Sequence, residues 1–324
     1  MATDAVSKNF RTPIQPLLGV YSVENAVSTI TAPSRVGYGS SKAHFGEIFQ
    51  GQVKDELGNL RRCLVTLPCK ELQSHAIFIP DSGGQIAVDP SYKLKAKRAV
   101  EITLKALSVS TIGGKLIIES NIKDGKGNGG STADCVAAAL AAADTVNNSL
   151  REDELARLVV EAEGASDSTM FSQAVLFAQR EGAVLEYYPS AIPSFEVLGV
   201  DTDVNGSIDT LLQPCPSYSL RELRIFETLR TDLTHAIRTH DIKLLARVAT
   251  ASAIVNERVL PKPLFAEIRA LAYRAGALGV AVAHSGTILA ILLNPYDDLL
   301  ERRIDTLESN LRKLGMTAFF RFQT

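Results

Sequence analysis

The stretch Lys126-Gly-Asn-Gly-Gly-Ser-Thr-Ala-Asp134 decides how this chain is read. Before it runs an alternating segment, Gly114-Lys-Leu-Ile-Ile-Glu-Ser-Asn121, and after it an Ala-dense segment over 133–148. The alternation predicts a strand, and the Ala-dense run predicts a helix that Ser131 or Thr132 is placed to cap. Gly127, Gly129 and Gly130 free the backbone to take turns that a side chain resists, and they let a ligand come close. The open N–H groups of the first helical turn, with the positive end of the helix dipole, then face the loop. An anion is the expected guest, and a polyphosphate is the commonest one. Neither familiar cradle fits. The Walker lysine follows its glycines, whereas Lys126 precedes them, and Gly125, Gly127 and Gly129 recur at every second position instead of the dinucleotide spacing. The competing reading is a surface loop that closes onto a helix N-cap.

The bulk of the chain narrows the classes. With 324 residues, 46% of them hydrophobic, it has material for a large core and about two domains. A net charge of −2, with no Lys/Arg cluster interleaved with aromatics, gives no footprint for nucleic acid. Cys63, Cys69, Cys135 and Cys215 show no C-x-x-C spacing, which suggests reduced thiols in a cytoplasmic protein. No long apolar span and no leader-like N-terminus is present, so neither membrane insertion nor secretion is expected. Residues 1–34 lack periodicity and read as an arm; packing of that arm on a second copy would make a homodimer.

Patterning along the chain predicts strands over 46–53, 62–67 and 75–80, with turns at 56–58 and 81–84. A helix follows over 92–107, with Ala96, Ala99, Val100, Ile102 and Leu107 facing inward, then the strand, loop and helix described above. A helix over 151–164 carries Glu152, Asp153 and Glu154 in its first turn, where acids suit the dipole. Strands over 174–178 and 183–188 precede a boundary at 189–193. Beyond it come a strand (195–200), helices over 220–238, 242–257 and 263–275, apolar runs at 279–283 and 288–293, a helix (298–314) and a strand (317–322). This order predicts an α+β protein with helices packed on largely antiparallel sheets, divided into an arm (1–34) and domains at 35–192 and 193–324.

Several side chains are candidates for chemistry. Asp167, just beyond a predicted helix, could serve as a base facing the loop or could cap the next turn. Glu161 and Glu163 end that helix, where carboxylates oppose the dipole; Mg2+, a salt bridge or solvent would settle them. Their spacing lets at most one face a site. Ser131 and Thr132 could ligate a metal or phosphate, or cap. His44, Glu47 and Gln50 make a polar group on an early strand, about half of it turned to one face. His284 lies in a short turn and is expected to be exposed, as are His75, His235 and His240.

Taken in order across 35–293, Gly46-Glu47 with Gln50-Gly51, Val65-Thr-Leu-Pro68, Lys126-Gly127 with Ser131-Thr-Ala-Asp134, Asp167-Ser168 and Ala283-His-Ser-Gly-Thr287 resemble the GHMP kinases. Galactokinase, homoserine kinase and mevalonate kinase belong to that superfamily, and the marks are most similar to its L-threonine kinase branch, linked to cobalamin side-chain synthesis. The resemblance implies a ribosomal protein S5 domain 2-like N-terminal domain and a ferredoxin-like C-terminal domain. It also implies ATP and a small-molecule alcohol, such as a hydroxy amino acid, in the cleft between them. Lys126, Gly127, Asn128, Gly129, Gly130, Ser131 and Thr132 would wrap the triphosphate. Ser131 with Glu163 or Glu161 would hold Mg2+, and Asp167 would be the base. His44, Glu47, His284, Ser285 and Thr287 would lie about the acceptor. The chain departs from the family loop, Pro-x-x-x-Gly-Leu-Gly-Ser-Ser-Ala, at Lys123, Asn128 and Gly130, and Ser40-Ser-Lys-Ala43 stands where the first motif carries proline. Those departures sustain a rival reading, a nucleotide-binding sensor that has lost turnover.

Overall fold

Two long strands organise the chain. β1 (Gly37–Lys54) and β2 (Leu60–Asp81) pair antiparallel over nearly their whole length, with register shifts around His44 and Glu47. In the computed structural model the described residues are 35–189, 191–204, 206 and 216–324. The proposed arm at 1–34 and Cys215 lie outside them.

From this hairpin the sheet grows both ways. On one side β2 pairs with β4 (Gly113–Ser120), which pairs with β3 (Ile86–Asp89); β5 (Val175–Ala178) also joins β2 and carries β6 (Ala183–Tyr187). On the other side β1 meets β8 (Gly279–Val282) through Glu47↔Val282. Then follow β9 (Ile288–Leu293), β7 (Glu196–Asp201) and β10 (Phe319–Gln323). Among the described strands every pairing is antiparallel except β3 with β4. Glu47 thus sits at the seam of the sheet.

The helices follow the expected amphipathic stretches. α1 (Leu94–Ala106), α2 (Gly130–Thr145) and α3 (Glu152–Glu163) pack with one another, and α2 lies on β1 and β2. The alanines of α2 have a steric reason. A Cβ on Gly39 would come within 2.1 Å of the Ala137 carbonyl, so helix and strand approach almost backbone to backbone. α4 (Leu220–Thr239) opens with a capping box between Ser219 and Glu222, and α5 (Ile242–Glu257) is capped by Asp241. Both bury apolar faces on β1, where Phe49 meets Phe226 edge to face. α6 (Phe265–Arg274) and α7 (Leu300–Lys313) pack together, and Ile268, Ile304 and Leu307 share a core cluster with Val280 and Leu289.

Three details differ from expectation. The segments 62–67 and 75–80 are one continuous strand that runs through Pro68, which faces His44 at a shift in register where a missing N–H is tolerated. β3 was not anticipated. On α1 the buried face runs through Thr103 and Leu104, while Ile102 and Leu107 are half-buried. Cys63, Cys69 and Cys135 are buried free thiols, and no described helix is long and apolar enough to cross a membrane.

Candidate active site

The loop between β4 and α2 is shaped by its glycines. Gly127 and Gly129 hold φ of 88° and 70°, the left-handed region that favours glycine. A Cβ on Gly127 would fall 2.0 Å from the Ser285 carbonyl, and one on Gly129 would fall 2.3 Å from His44 Cδ2. Gly129 is the N-cap of α2 and supplies no side chain, so the first-turn N–H groups are left open at the loop.

Neither Ser131 nor Thr132 caps the helix, contrary to the sequence expectation. Both hydroxyls turn sideways to α3: Ser131 Oγ donates to Glu163 Oε2 at 2.7 Å and Thr132 Oγ1 to Glu163 Oε1 at 2.6 Å. Glu163 is buried, and burial pushes its pKa up to about 7 despite those two hydrogen bonds. Glu161 points to solvent. The one-face argument holds, and Glu163 is the carboxylate that reaches the loop.

Asp167 joins the same side-chain cluster from beyond α3. Its Oδ2 lies 2.8 Å from His44 Nε2 and 3.3 Å from Thr132 Oγ1, and its Oδ1 lies 3.6 Å from His284 Nδ1. Glu47 completes the group, with Oε1 3.2 Å from His284 Nδ1 and 3.5 Å from His44 Nδ1. Burial opposes ionisation of Asp167, but the charge of His44 2.8 Å away, with help from His284, outweighs it and holds the carboxyl at about 2. Burial likewise opposes a charged His44, yet Asp167 and Glu47 raise that imidazole to about 9. Glu47, with burial as the larger influence, is shifted upward. His44 and Asp167 are therefore a buried ion pair, with Glu47 the acid held more readily in its neutral form.

His284 is nearly buried among these acids; the expectation of an exposed turn histidine was wrong. Lys126 also departs from its expected role. Its Nζ is 3.0 Å from Asp201 Oδ2 and donates to the carbonyls of Asp203, Val204 and Gly206 at 2.8, 2.9 and 2.8 Å. The ammonium is thus spent on the turn after β7, while the Lys126 carbonyl accepts the Thr287 and Ile288 amides. Thr287 Oγ1 donates to Asp201 Oδ1 at 2.6 Å, so this hydroxyl braces the turn and does not face the acidic group. The Ser285 carbonyl lies against Gly127, and Asn128 is buried with its Oδ1 unpartnered.

Sequence reasoning missed two contributors. Lys93 bridges Asp124 and Asp134 at 2.7 and 2.8 Å, and with Tyr92, Lys95 and Ser131 it lines a cavity of about 390 Å³ beside the start of α2. Asp201 anchors Lys126. Both work through partners far away in the chain. The fit to nucleotide and metal can be judged on these residues. Open amides, an adjoining cavity walled by lysines, and a hydroxyl–carboxylate pair at Ser131 and Glu163 suit a polyphosphate with a hard divalent cation.

Known proteins share parts of this sequence and its fold. Residues 95–175 match the GHMP kinases N terminal domain. The chain is 30% identical over 178 residues to the L-threonine kinase of Salmonella typhimurium and 30% over 181 residues to that of Citrobacter freundii. These matches span 55% and 56% of this chain but only 59% and 62% of the relatives, less than two thirds of their length. Among solved structures, homoserine kinase from Cytophaga hutchinsonii superposes with a TM-score of 0.64 at 14% identity, covering 89% of this chain and 94% of that one. The chain is thus similar to the GHMP kinases, with the match to their N-terminal domain confined to residues 95–175.

Proposed function

We propose that the protein is an ATP- and Mg2+-dependent kinase that phosphorylates the side-chain hydroxyl of L-threonine or a similar hydroxy amino acid. One observation carries the reading: the open amide end of α2, the Ser131–Glu163 pair and Asp167 meet around Thr132. Similarity to two L-threonine kinases supports the choice of acceptor.

Phosphoryl transfer asks a protein mainly for positioning and for neutralisation of charge. In this reading the amides of Gly127 to Thr132 hold the phosphates, and the cavity beside Tyr92 and Lys93 takes the rest of the nucleotide. Ser131 and Glu163 would hold Mg2+, which when bound neutralises phosphate charge. Asp167, kept ionised by His44, receives the acceptor's proton or orients its hydroxyl. Glu47, whose Oε2 is buried without a partner, suits the acceptor's ammonium. Residues 35–192 would form the S5 domain 2-like half and 193–324 the ferredoxin-like half of a cytoplasmic enzyme serving cobalamin side-chain synthesis.

A coupled ADP-release assay over threonine, serine, homoserine and sugars, with and without Mg2+, tests the proposal. Threonine-stimulated release is expected, with Asp167→Ala abolishing transfer while ATP still binds. Undiminished transfer in that variant, or ATP binding that no alcohol converts to ADP, would sink it; the latter result favours the sensor reading.

A further inference from the structure

A second cavity, of about 260 Å³, adjoins the acidic group. Thr66 and Pro68 of β2 line it, and in the sheet register they stand directly opposite Glu47 and His44. Opposed residues project from the same face, so the cavity and the His44–Asp167 pair share one side of the hairpin. Ser168, next in the chain to Asp167, forms part of the wall, its hydroxyl 2.9 Å from that of Thr66.

Two lysines stand in the wall, and Thr324 shares the lining. Lys42 and Lys70 both line the cavity, and among the described residues neither is paired with a carboxylate. Glu152 is the acid that Lys42 senses, but its Oε1 accepts the Ser172 amide at 2.8 Å. Burial first and the neighbouring Lys70 charge second hold the Lys42 ammonium below the usual lysine range. Thr169, also in the lining, is 6% exposed, and its hydroxyl has no partner. Native proteins seldom leave such a group unmatched, and an anion would satisfy all three at once. Val65, Phe171 and Ile192 give the rest of the wall an apolar lining suited to a short aliphatic chain.

We infer that this cavity seats the acceptor by its carboxylate, on Lys42, Lys70 and Thr169, with the hydroxyl turned toward Asp167. The substrate class is then a small hydroxy acid, and uncharged alcohols are excluded. The fate of the hydroxyl rests on the kinase reading above; the carboxylate site does not. His44, committed to Asp167, is then not the partner of the carboxylate.

Calorimetric titration of the full chain with L-threonine and with L-threoninamide, without nucleotide, tests the site. Threonine is expected to bind, and the amide to bind about tenfold more weakly or worse, as loss of a charge-assisted contact implies. Lys42→Met combined with Lys70→Met should weaken threonine by a similar factor, with ATP affinity unchanged, and Thr169→Val alone should weaken it by a smaller factor. Equal binding of acid and amide, no binding of threonine, or full affinity in the double variant overturns the inference. The two readings fail separately. Carboxylate-dependent binding without ADP release sinks the kinase and keeps the site, whereas equal turnover of an uncharged alcohol keeps the kinase and sinks the site.

Discussion

His44 Nε2 lies 2.8 Å from Asp167 Oδ2, and the two side chains are 1% and 8% exposed. An ion pair so enclosed is a poor source of stability by itself, but removing one partner strands the other charge in a dry pocket.

That relation predicts a pH-dependent stability. The folded-state pKa of His44, about 9, stands above the ordinary value of 6.5. Its contribution is therefore fully present below 6.5 and is lost as pH rises through about 9. His44→Gln should destabilise the fold by about 3 kcal/mol at about pH 6, with the difference shrinking towards about pH 9.5. Urea denaturation of both proteins across that range checks it; a difference that is independent of pH would refute the ion pair.

The two glutamates of α3 should separate cleanly. Glu163→Gln should lower kcat/KM by about a hundredfold or more, since it removes the carboxylate shared by Ser131 and Thr132 beside the glycine-rich loop. Glu161→Gln, on an exposed side chain, should leave stability within about 0.5 kcal/mol and activity unchanged. Removing divalent cations with EDTA should silence the wild type, and added Mg2+ should restore it. Steady-state kinetics of the three proteins decides the point.

Gly129 and Gly130 differ in what they tolerate. A side chain at Gly129 meets both a left-handed backbone and the His44 ring, so Gly129→Ala should cost about 2 kcal/mol or more and lose ATP binding. At Gly130 a Cβ would sit 3.1 Å from Ile122 Cγ2, a contact that a small side-chain shift relieves. Gly130→Ser should therefore fold, change stability by about 1 kcal/mol or less, and bind ATP more tightly through the added hydroxyl. Thermal melts and nucleotide titrations of both variants give the answer.

Lys126→Met should loosen a loop without removing a phosphate ligand. Its ammonium ties Asp201, Asp203, Val204 and Gly206 to the start of the glycine-rich loop. Hydrogen exchange should rise at residues 126–130 and 201–206, with kcat falling less than in Glu163→Gln. Unchanged exchange at 201–206 would contradict the tether.

Much of the fold was legible because amphipathic spacing survives in one dimension: α5 matches its expected limits, and α2, α3 and α4 differ by a few residues. β2 was split because Pro68 and the polar run after it look like a break, and only pairing to β1 carries the strand across. β3 has four residues, too few for a pattern. The glycine-rich loop and Asp167 could be picked out from local context, and Glu163 only as one of a pair with Glu161. His284 could not, because the acids that enclose it come from β1 and from the segment after α3. Lys126 misled for the converse reason: a lysine beside glycines suggests a phosphate ligand, and its acceptors lie far along the chain.

Gly127 and Gly286 are in effect one residue written twice. A Cβ on the first would fall 2.0 Å from the Ser285 carbonyl, and a Cβ on the second would fall 2.3 Å from the Gly127 nitrogen. A randomised library at either codon should return glycine alone. Sequence drift at one of the two motifs is therefore confined by the other, so anyone re-engineering the loop must redesign both segments together.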